Sequence, residues 1–292
     1  MKKILITGEG SYLGRSLEKY LSQWPEGYTV DAISVRGDGW KEASFRGYDA
    51  IYHVAAIVHM EQSKNDAAQA ELYDRVNARL PVEIARKAKA EGVGQFLFVS
   101  TAAVYGLTAP LGKTVVIDRN TPVAPKDNYG ISKAKAEQGL LELADGQFRV
   151  AILRPPMIYG KGCKGNYNAL ASFAKRLPVF PRVENRRSML YIENLCELVR
   201  LIIDRQDSGI FCPQDRQTVN TCEMVRLIGA ANGKTIRLIP GLGWAMKLLR
   251  QITSKVDKAF GSLCYAEALS RYEQDYRVAD LEEAIRRTEN KA

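Results

Sequence analysis

The sequence predicts an α/β protein with a doubly wound parallel sheet and a smaller, mainly helical C-terminal lobe. A glycine-rich turn follows the first apolar run, in ILITGEGSYLG at residues 4–14. Short β-branched runs then alternate with segments of helical periodicity, which is typical of a parallel sheet with crossover helices. Beyond about Gly160 the alternation weakens and helical patterns dominate. We therefore place the sheet domain in residues 1–160, with a return segment near 186–213, and the lobe in residues 161–292.

The predicted elements follow from local patterns along the chain. Six runs are predicted as strands: Lys3–Thr7, Thr29–Val35, Ala50–Ala55, Gln95–Ser100, Val150–Arg154 and Gly209–Cys212. Apolar residues at helical spacing predict seven helices: Tyr12–Gln23, Asn77–Glu91, Tyr129–Ala144, Asn166–Arg176, Ile192–Arg205, Thr221–Ala231 and Gly241–Phe260. We expect the last of these to cover a core rather than to lie on a membrane surface, because the first case is commoner. The chain from Arg286 onward is predicted to be a solvated tail.

Composition narrows the class of protein. With 292 residues, 46% of them hydrophobic, the chain can bury the core of one large or two modest domains. No run approaches the ~20 apolar residues of a membrane span, and glycine follows the start too soon for a signal sequence, so we expect a cytoplasmic protein. Five scattered cysteines predict neither a metal site nor a disulfide framework. The net charge of +9 admits anionic partners, but its spread along the chain does not favour nucleic acid.

The turn after the first strand has the character of a pyrophosphate-binding loop. Its glycines are Gly8, Gly10 and Gly14, and read as TGxxGxxG the stretch fits except that Ser11 replaces the middle glycine. Glycines allow close backbone approach, and a helix that begins near Tyr12 directs its N–H groups into the loop. Serine is small, and its hydroxyl can donate to a phosphate or cap the helix. The alternative is a plain structural turn.

Two further motifs suggest proton transfer at the sheet edge. In NYGISKAKAE, Tyr129 and Lys133 lie four apart in a predicted helix and so share one face. A tyrosine has a pKa near ~10, and an adjacent ammonium would favour its phenolate. The strand QFLFVSTAAVYG ends in Ser100 and Thr101, where a hydroxyl can bind a reacting carbonyl or alcohol. A chance match on a surface helix is the alternative for the tyrosine–lysine pair.

Taken in order, these motifs resemble the extended short-chain dehydrogenase/reductase family, in particular its nucleotide-sugar epimerases, reductases and dehydratases. The segments YDAIYHVAA, RVNARLPVEIARKAKAEGVGQFLFVSTAAVYG, ILRPPMIYG and NRRSMLYIENL also follow the family's order, so the resemblance covers nearly the whole chain. It implies an enzyme with a Rossmann domain, a bound nicotinamide cofactor and a nucleotide-sugar substrate. It also implies a homodimer through the helices Asn77–Glu91 and Tyr129–Ala144.

The resemblance implies roles for individual residues. Tyr129 would be the catalytic acid–base, Lys133 would hold the nicotinamide ribose and tune the tyrosine, and Thr101 would orient the substrate oxygen. Together with Tyr129 and Lys133, the residues expected to bind the cofactor are Gly8, Gly10, Ser11, Tyr12, Leu13, Gly14, Arg36, Ala55, Ala56, Pro155 and Met157. The residues expected to bind the substrate are Thr101, Asn166 and Arg187. The planar guanidinium of Arg187 suits a diphosphate, and a solvated arginine is the alternative.

The two histidines fall near the predicted cleft. We expect His53 to be a packed supporting residue, and we assign no role to His59.

Three reactions share this scaffold. A 4,6-dehydratase needs an additional acid and base after the threonine, where this chain has Ala102 and Ala103, so that reaction is disfavoured. A 4-epimerase and a 4-ketoreductase need only the threonine, tyrosine and lysine. The short lobe and the segments GNYNAL and AFGSLCY resemble reductases of UDP-4-keto-6-deoxy-sugars, which we favour, with a UDP-sugar 4-epimerase as the alternative. A non-catalytic NADP-binding regulator is the rival class, although such proteins typically lose the tyrosine or the lysine.

The residues after the second strand favour NADP. In YTVDAISVRGDGW the strand ends near Arg36 with no carboxylate before Asp38, and an arginine at this place suits the 2′-phosphate of NADP. NAD is the alternative, because the span from Arg36 to YDAIYHVAA is short and Asp31 or Asp38 could bind the ribose instead.

Overall fold

The computed structural model describes residues 1–58, 66–241 and 260–290, and the chain divides into two compact units. The first unit comprises Met1–Gly106, Pro122–Pro155 and Cys196–Cys212, and the second comprises Leu107–Thr121, Pro156–Leu195 and Pro213–Ala292. The return segment into the first unit is therefore shorter than the predicted 186–213. The stretch Leu107–Thr121, which we had placed in the sheet domain, belongs to the second unit because its strand pairs there.

The described residues contain short parallel strands and helices throughout. The strands are β1 (Lys2–Thr7), β2 (Tyr28–Ile33), β3 (Ala50–His53), β4 (Gln95–Val99), β5 (Thr114–Ile117), β6 (Arg149–Leu153), β7 (Met157–Tyr159), β8 (Val179–Pro181), β9 (Met189–Tyr191), β10 (Gly209–Phe211), β11 (Arg237–Ile239) and β12 (Ser262–Tyr265). The α-helices are α1 (Tyr12–Leu21), α2 (Asp66–Tyr73), α3 (Leu80–Ala90), α4 (Asn128–Leu141), α5 (Asn166–Arg176), α6 (Ile192–Arg205), α7 (Thr221–Ala231) and α8 (Leu281–Glu289). A π-helical turn, Asp74–Arg79, joins α2 to α3, and 3-10 turns span Gly39–Lys41, Ala102–Tyr105 and Glu267–Leu269.

A six-stranded parallel sheet forms the centre of the first unit, in the order β10-β6-β4-β3-β1-β2. Every residue of β3 and β4 is buried, as expected where helices cover both faces of a parallel sheet. The predicted fold class is confirmed. The order reverses between β1 and β3, and ligands of such sheets bind at the carboxyl ends of strands beside this switch. Between β2 and β3 the chain forms the 3-10 turn Gly39–Lys41 and no strand, which leaves β2 at the edge.

The described residues of the second unit form three two-stranded parallel sheets, β5 with β12, β7 with β9 and β8 with β11, and the sequence predicts none of these strands. Helix α7 packs against β8, and α5 and α8 both pack against α7. The prediction of a solvated tail from Arg286 is wrong as far as Glu289, because α8 continues to that residue. The Glu289 carboxylate accepts from the Tyr167 hydroxyl at 2.7 Å and pairs with Lys175 at 2.7 Å.

Some predictions fall on residues that the structure does not describe. His59 and nearly all of the predicted helix Gly241–Phe260 lie there. In the described part of the chain, no helix is both long and apolar enough to cross a membrane. All five cysteines lie in the described part of the chain, where they are buried and form no disulfide.

Candidate active site

The glycine loop after β1 is shaped by close backbone packing. The amides of Gly8 and Glu9 both donate to the Ile33 carbonyl, at 3.0 and 3.1 Å. Gly8 has a φ of +130°, and a Cβ there would lie 2.8 Å from the Ala55 amide nitrogen, so no other residue fits. Gly10 has a φ of +72°, but a Cβ on it would meet open space. The loop is therefore closed at Gly8 against the segment that follows β3, and it is open at Gly10.

Ser11 occupies the place of the missing glycine as the N-cap of α1. It is extended, and its Oγ accepts from the Gly14 amide at 3.1 Å. A hydroxyl that accepts one bond still carries a proton that it can donate. A Cβ on Gly14 would lie 2.9 Å from Ile6 Cγ2, so α1 begins directly against β1, with Tyr12 and Leu13 in its first turn.

This loop fits the diphosphate of a dinucleotide. Two of its glycines are required by packing, the third leaves space, and the N-terminus of an α-helix faces that space with its partial positive charge.

Other expected cofactor residues lie at the carboxyl ends of neighbouring strands. The Ala55 amide donates to the Thr7 carbonyl at 3.1 Å, and the half-buried Ala56 follows it. The Pro155 carbonyl, just beyond β6, accepts from the Ala102 amide at 3.0 Å. The structure thus places Gly8, Ala55 and Pro155 after β1, β3 and β6, at one edge of the sheet.

Arg36 is exposed three residues beyond β2. The two alternative ribose ligands form local contacts instead. Asp31 lies inside β2, where it accepts from the Tyr48 hydroxyl at 2.8 Å, and Asp38 pairs with Lys41 at 2.7 Å.

Thr101 and Tyr129 are brought together at the same edge. Thr101 caps the turn Ala102–Tyr105 by accepting from the Ala103 amide at 3.1 Å, and its side chain lies near enough to Tyr129 to act on the pKa of that phenol. Gly130 makes this approach possible, because a Cβ on it would lie 2.8 Å from the Ala103 carbonyl oxygen. The first turn of α4 therefore rests directly on the turn that follows β4.

Lys133, one turn further along α4, is buried with only 2% of its surface exposed. Its Nζ donates to the Val99 carbonyl at 2.7 Å and lies 4.4 Å from the centroid of the Phe98 ring. Burial lowers the pKa of Lys133 to about 7, while the nearby carboxylate of Glu137 opposes that shift.

The expected effect of Lys133 on Tyr129 is not met. Burial raises the pKa of the half-buried Tyr129 to about 12, although the neighbouring Thr101 side chain opposes this. The ammonium of Lys133 is directed instead to the Val99 carbonyl. In this structure Tyr129 is therefore a protonated phenol at neutral pH.

His53 is the packed supporting residue that we predicted. It is fully buried at the end of β3, its Nδ1 bonds the Thr7 hydroxyl at 2.8 Å, and its ring stacks against Phe96 and Phe98, each with centroids 5.9 Å apart. Burial and the charge of Lys133 lower the pKa of His53 to about 3.

Sequence reasoning missed Asn77, which lies in the π-helical turn before α3. Its buried amide accepts from the Ile57 amide at 2.9 Å, donates to the Ile57 carbonyl at 2.8 Å and donates to Ser132 at 3.3 Å. The Ser132 hydroxyl in turn donates to the Tyr129 carbonyl at 2.8 Å. Asn77 thus ties the loop after β3 to the turn that carries Tyr129. The signal for this role in the sequence is that Asn77 is a polar residue within a segment of apolar helical periodicity.

The remaining predicted residues, Met157, Asn166 and Arg187, belong to the second unit. Asn166 is exposed and opens α5. The Arg187 backbone bridges to Val219, with N–O distances of 3.0 and 2.8 Å, and burial lowers the pKa of its guanidinium. Met157 begins β7 and lies opposite Met189 of β9. Met189 follows Arg187 by two residues.

Proteins with related sequences belong to one enzyme family. The model of the NAD dependent epimerase/dehydratase family matches residues 4–211. A UDP-glucose 4-epimerase of Vibrio cholerae is 30% identical over 286 residues, covering 90% of this chain and 86% of that protein. An N-acetyl-alpha-D-glucosaminyl-diphospho-ditrans,octacis-undecaprenol 4-epimerase of Escherichia coli O157:H7 is 26% identical over 271 residues, covering 87% of this chain and 77% of that protein.

A solved structure shares the fold. The dTDP-4-dehydrorhamnose reductase of Bacillus anthracis strain Ames, in complex with NADP, superposes with a TM-score of 0.72 at 19% identity, covering 99% of this chain and 98% of that chain. Because the family model spans well over half of the sequence, this protein is an enzyme of the NAD dependent epimerase/dehydratase family.

Proposed function

We propose that this enzyme transfers hydride at C4 of a nucleotide-linked hexose, with Tyr129, Thr101 and Lys133 as its catalytic residues. The observation that carries the proposal is the close packing of the first turn of α4, which carries Tyr129, on the turn that Thr101 caps at the carboxyl edge of the sheet, in the same unit as a loop that fits a diphosphate. The nicotinamide ring of NAD(P) would supply the hydride acceptor and donor. The retained tyrosine and lysine argue against a non-catalytic regulator.

The residues of the chain divide the remaining work. Gly8, Gly10, Ser11, Tyr12, Leu13 and Gly14 would hold the cofactor diphosphate, with Ala55, Ala56 and Pro155 beside it, Arg36 near the adenosine ribose and Met157 near the nicotinamide. Thr101 would hold the C4 oxygen. Tyr129, a protonated phenol in this structure, would donate its proton to that oxygen when a ketone is reduced. Lys133 would bind the nicotinamide ribose, while Asn166 and Arg187 would contact the nucleotide of the substrate.

The sequence alone favours reduction of a 4-keto-6-deoxy-sugar; with the relatives added, we propose epimerisation of a UDP-hexose first and that reduction second. Epimerisation is supported by two relatives of 30% and 26% identity, both of which are 4-epimerases. Reduction is supported by the short lobe and by Arg36, which suits NADP. Dehydration lacks support, because Ala102 and Ala103 supply no acid or base after Thr101.

Identification of the cofactor separates the two reactions. The purified protein is denatured, and the released nucleotide is identified by chromatography and mass spectrometry. Tightly held NAD, with conversion of a UDP-hexose to its C4 epimer without added cofactor, supports the epimerase. An empty protein that oxidises one NADPH for each 4-keto-sugar reduced supports the reductase. A Tyr129→Phe variant that retains full turnover in either assay contradicts the catalytic assignment.

The carrier of the hexose can be tested in parallel. UDP-linked and polyprenyl-diphosphate-linked N-acetylhexosamines are assayed side by side, because one relative acts on the second kind of compound. Turnover of the UDP-linked compound supports our proposal, and turnover confined to the lipid-linked compound contradicts it.

We also propose a homodimer formed through α3 and α4. The two helices pack closely, since a Cβ on Gly139 of α4 would lie 2.9 Å from Val82 Cγ2 of α3. Helix α4 also exposes Ile131 and Leu141. Light scattering coupled to size exclusion should give twice the chain mass of 32.5 kDa, and a mass of 32.5 kDa contradicts the dimer.

A further inference from the structure

A buried ion pair lies one helical turn beyond the proposed catalytic lysine. Glu137 of α4 and Arg154, just after β6, expose only 4% and 9% of their side chains. Arg154 Nη2 donates to Glu137 Oε2 at 2.5 Å, and its Nε lies 3.1 Å from both carboxylate oxygens. Removing two charges from water is costly, and a buried pair often adds little stability over apolar residues of the same size. Because stability alone does not explain the ion pair, the other hydrogen bonds that Glu137 and Arg154 form point to a further role.

The pair is bonded to the strand end and the turn that flank Thr101. Glu137 Oε1 also accepts from the hydroxyl of Ser100, the residue before Thr101. Arg154 Nη1 donates to the Tyr105 hydroxyl at 2.9 Å, at the end of the turn that Thr101 caps. One network thus joins α4 to the segment that carries the proposed catalytic threonine.

The same network contributes the nearest charges to the surroundings of the buried Lys133 ammonium. Lys133 and Glu137 are four residues apart on α4, so they share one face. From the sheet, Lys133 faces the Val99 carbonyl and Phe98 of β4 and the neutral imidazole of His53 on β3. The Glu137 carboxylate favours the charged form of Lys133. The Arg154 cation beyond Glu137 is bonded to that carboxylate.

Arg154 and Ser100 engage the carboxylate that Lys133 would otherwise contact. A lysine four residues from a free glutamate on a buried helix face would form a direct ion pair with it. Here both oxygens of Glu137 bond Arg154, and the Lys133 Nζ donates to Val99 instead. The carboxylate therefore acts on the ammonium through space without holding it away from the sheet edge.

We propose that Glu137, held by Arg154 and Ser100, is a positioning residue that keeps the Lys133 ammonium charged and directed toward the carboxyl edge of the sheet. Its relevance to catalysis rests on the proposed function of Lys133.

A direct readout is the titration of Lys133, followed by NMR of protein labelled at the lysine ε-carbon and ζ-nitrogen. The Lys133 signal is assigned by its loss in Lys133→Arg. Glu137→Gln should lower the pKa of Lys133 by about one pH unit, because the nearest negative charge is removed. The double variant Glu137→Gln/Arg154→Gln removes both members of the ion pair, so that neither is left as an unpaired buried charge, and it should shift the pKa of Lys133 in the same direction. Glu197→Gln is the matched control, since Glu197 pairs with Arg200 at 2.7 Å on α6 and should leave Lys133 unchanged.

Activity provides a second readout. If Lys133 must be charged, Glu137→Gln loses turnover relative to the parent protein at pH 7 and above and recovers it near pH 5, whereas a merely structural defect lowers turnover equally at all pH values. Glu137→Asp, which keeps the charge, should restore activity at pH 8.

A folded variant whose Lys133 titrates as in the parent protein overturns the proposal. The proposal is also overturned if the double variant fails to fold, because the Glu137–Arg154 pair would then be needed for folding and not specifically for Lys133. If Lys133 titrates as expected but no hexose is turned over, the positioning of Lys133 stands and the proposed function fails.

Discussion

Tyr129 combines three features at residue scale: the Thr101 side chain nearby, an edge-to-face contact with Tyr73 at 6.4 Å between ring centroids, and a pKa raised by burial to about 12. Removing its hydroxyl keeps the ring and its packing. Tyr129→Phe should therefore lower kcat about 100-fold or more, because general acid–base catalysis is lost, with little change in cofactor affinity. Tyr73→Phe is the control and should retain turnover. Steady-state kinetics and cofactor titration check both, and equal losses in the two variants would contradict the assignment.

Gly8 is the position in the loop with least space. Gly8→Ala combines a φ of +130° with a Cβ 2.8 Å from the Ala55 amide nitrogen, so we expect a loss of about 1–3 kcal/mol in the free energy of unfolding and weaker cofactor binding. Gly146→Ala is the control, because nothing lies within 4 Å of its Cβ. Urea denaturation and cofactor titration measure both effects. Equal behaviour of the two variants would show that the loop can relax.

At the scale of elements, the π-helical turn places Asn77 against the loop after β3. Asn77→Ala removes the two hydrogen bonds that the Asn77 side chain forms with the amide and the carbonyl of Ile57. The loss of these partners should lower the free energy of unfolding by about 1–3 kcal/mol or more. Turnover should fall as well, because Ser132, which bonds the Tyr129 carbonyl, loses its hydrogen bond from Asn77. Asn168→Ala, which removes one bond to the Cys163 carbonyl in the other unit, should lower stability without affecting turnover. Denaturation curves with kinetics on the same samples separate the two.

Which elements the sequence could predict depended on their length and pattern. The predicted bounds of Ile192–Arg205 and Thr221–Ala231 match α6 and α7, because both are strongly amphipathic and Asn220 caps the second. The strands β7 and β9 have three residues each, too few to show a period, and pair only because the chain brings them together. The π-helical turn left no signal in spacing that is read at 3.6 residues per turn.

At the scale of the whole molecule, the order of motifs gave the fold class and the family, and it named Thr101 and Tyr129, which the structure brings together. The electrostatics could not be predicted in this way. Spacing alone put Lys133 beside Tyr129, yet its ammonium is directed to Val99. Arg154, the partner of Glu137, lies 17 residues away just after β6, so only the packed structure reveals the pair.

His53 gives the folded chain a dependence on acid. Its pKa is lowered from 6.5 to about 3, so between these values the unfolded chain binds a proton that the native chain does not. Stability from this residue is present above pH 6.5 and is lost as pH falls, by about 1.4 kcal/mol for each pH unit. Asp215, whose pKa is raised to about 6 by burial, acts in the opposite direction, so the comparison must be made between variants.

His53→Gln should therefore show a smaller loss of unfolding free energy between pH 6.5 and 4.5 than the parent protein, whatever its stability at pH 7. His59→Gln is the control and should keep the parent slope. Urea denaturation across this range gives the slopes, and NMR of the two histidine rings should show that His53 stays neutral to about pH 4. Parallel slopes in all three proteins would mean that the imidazole takes up its proton without unfolding the sheet around it.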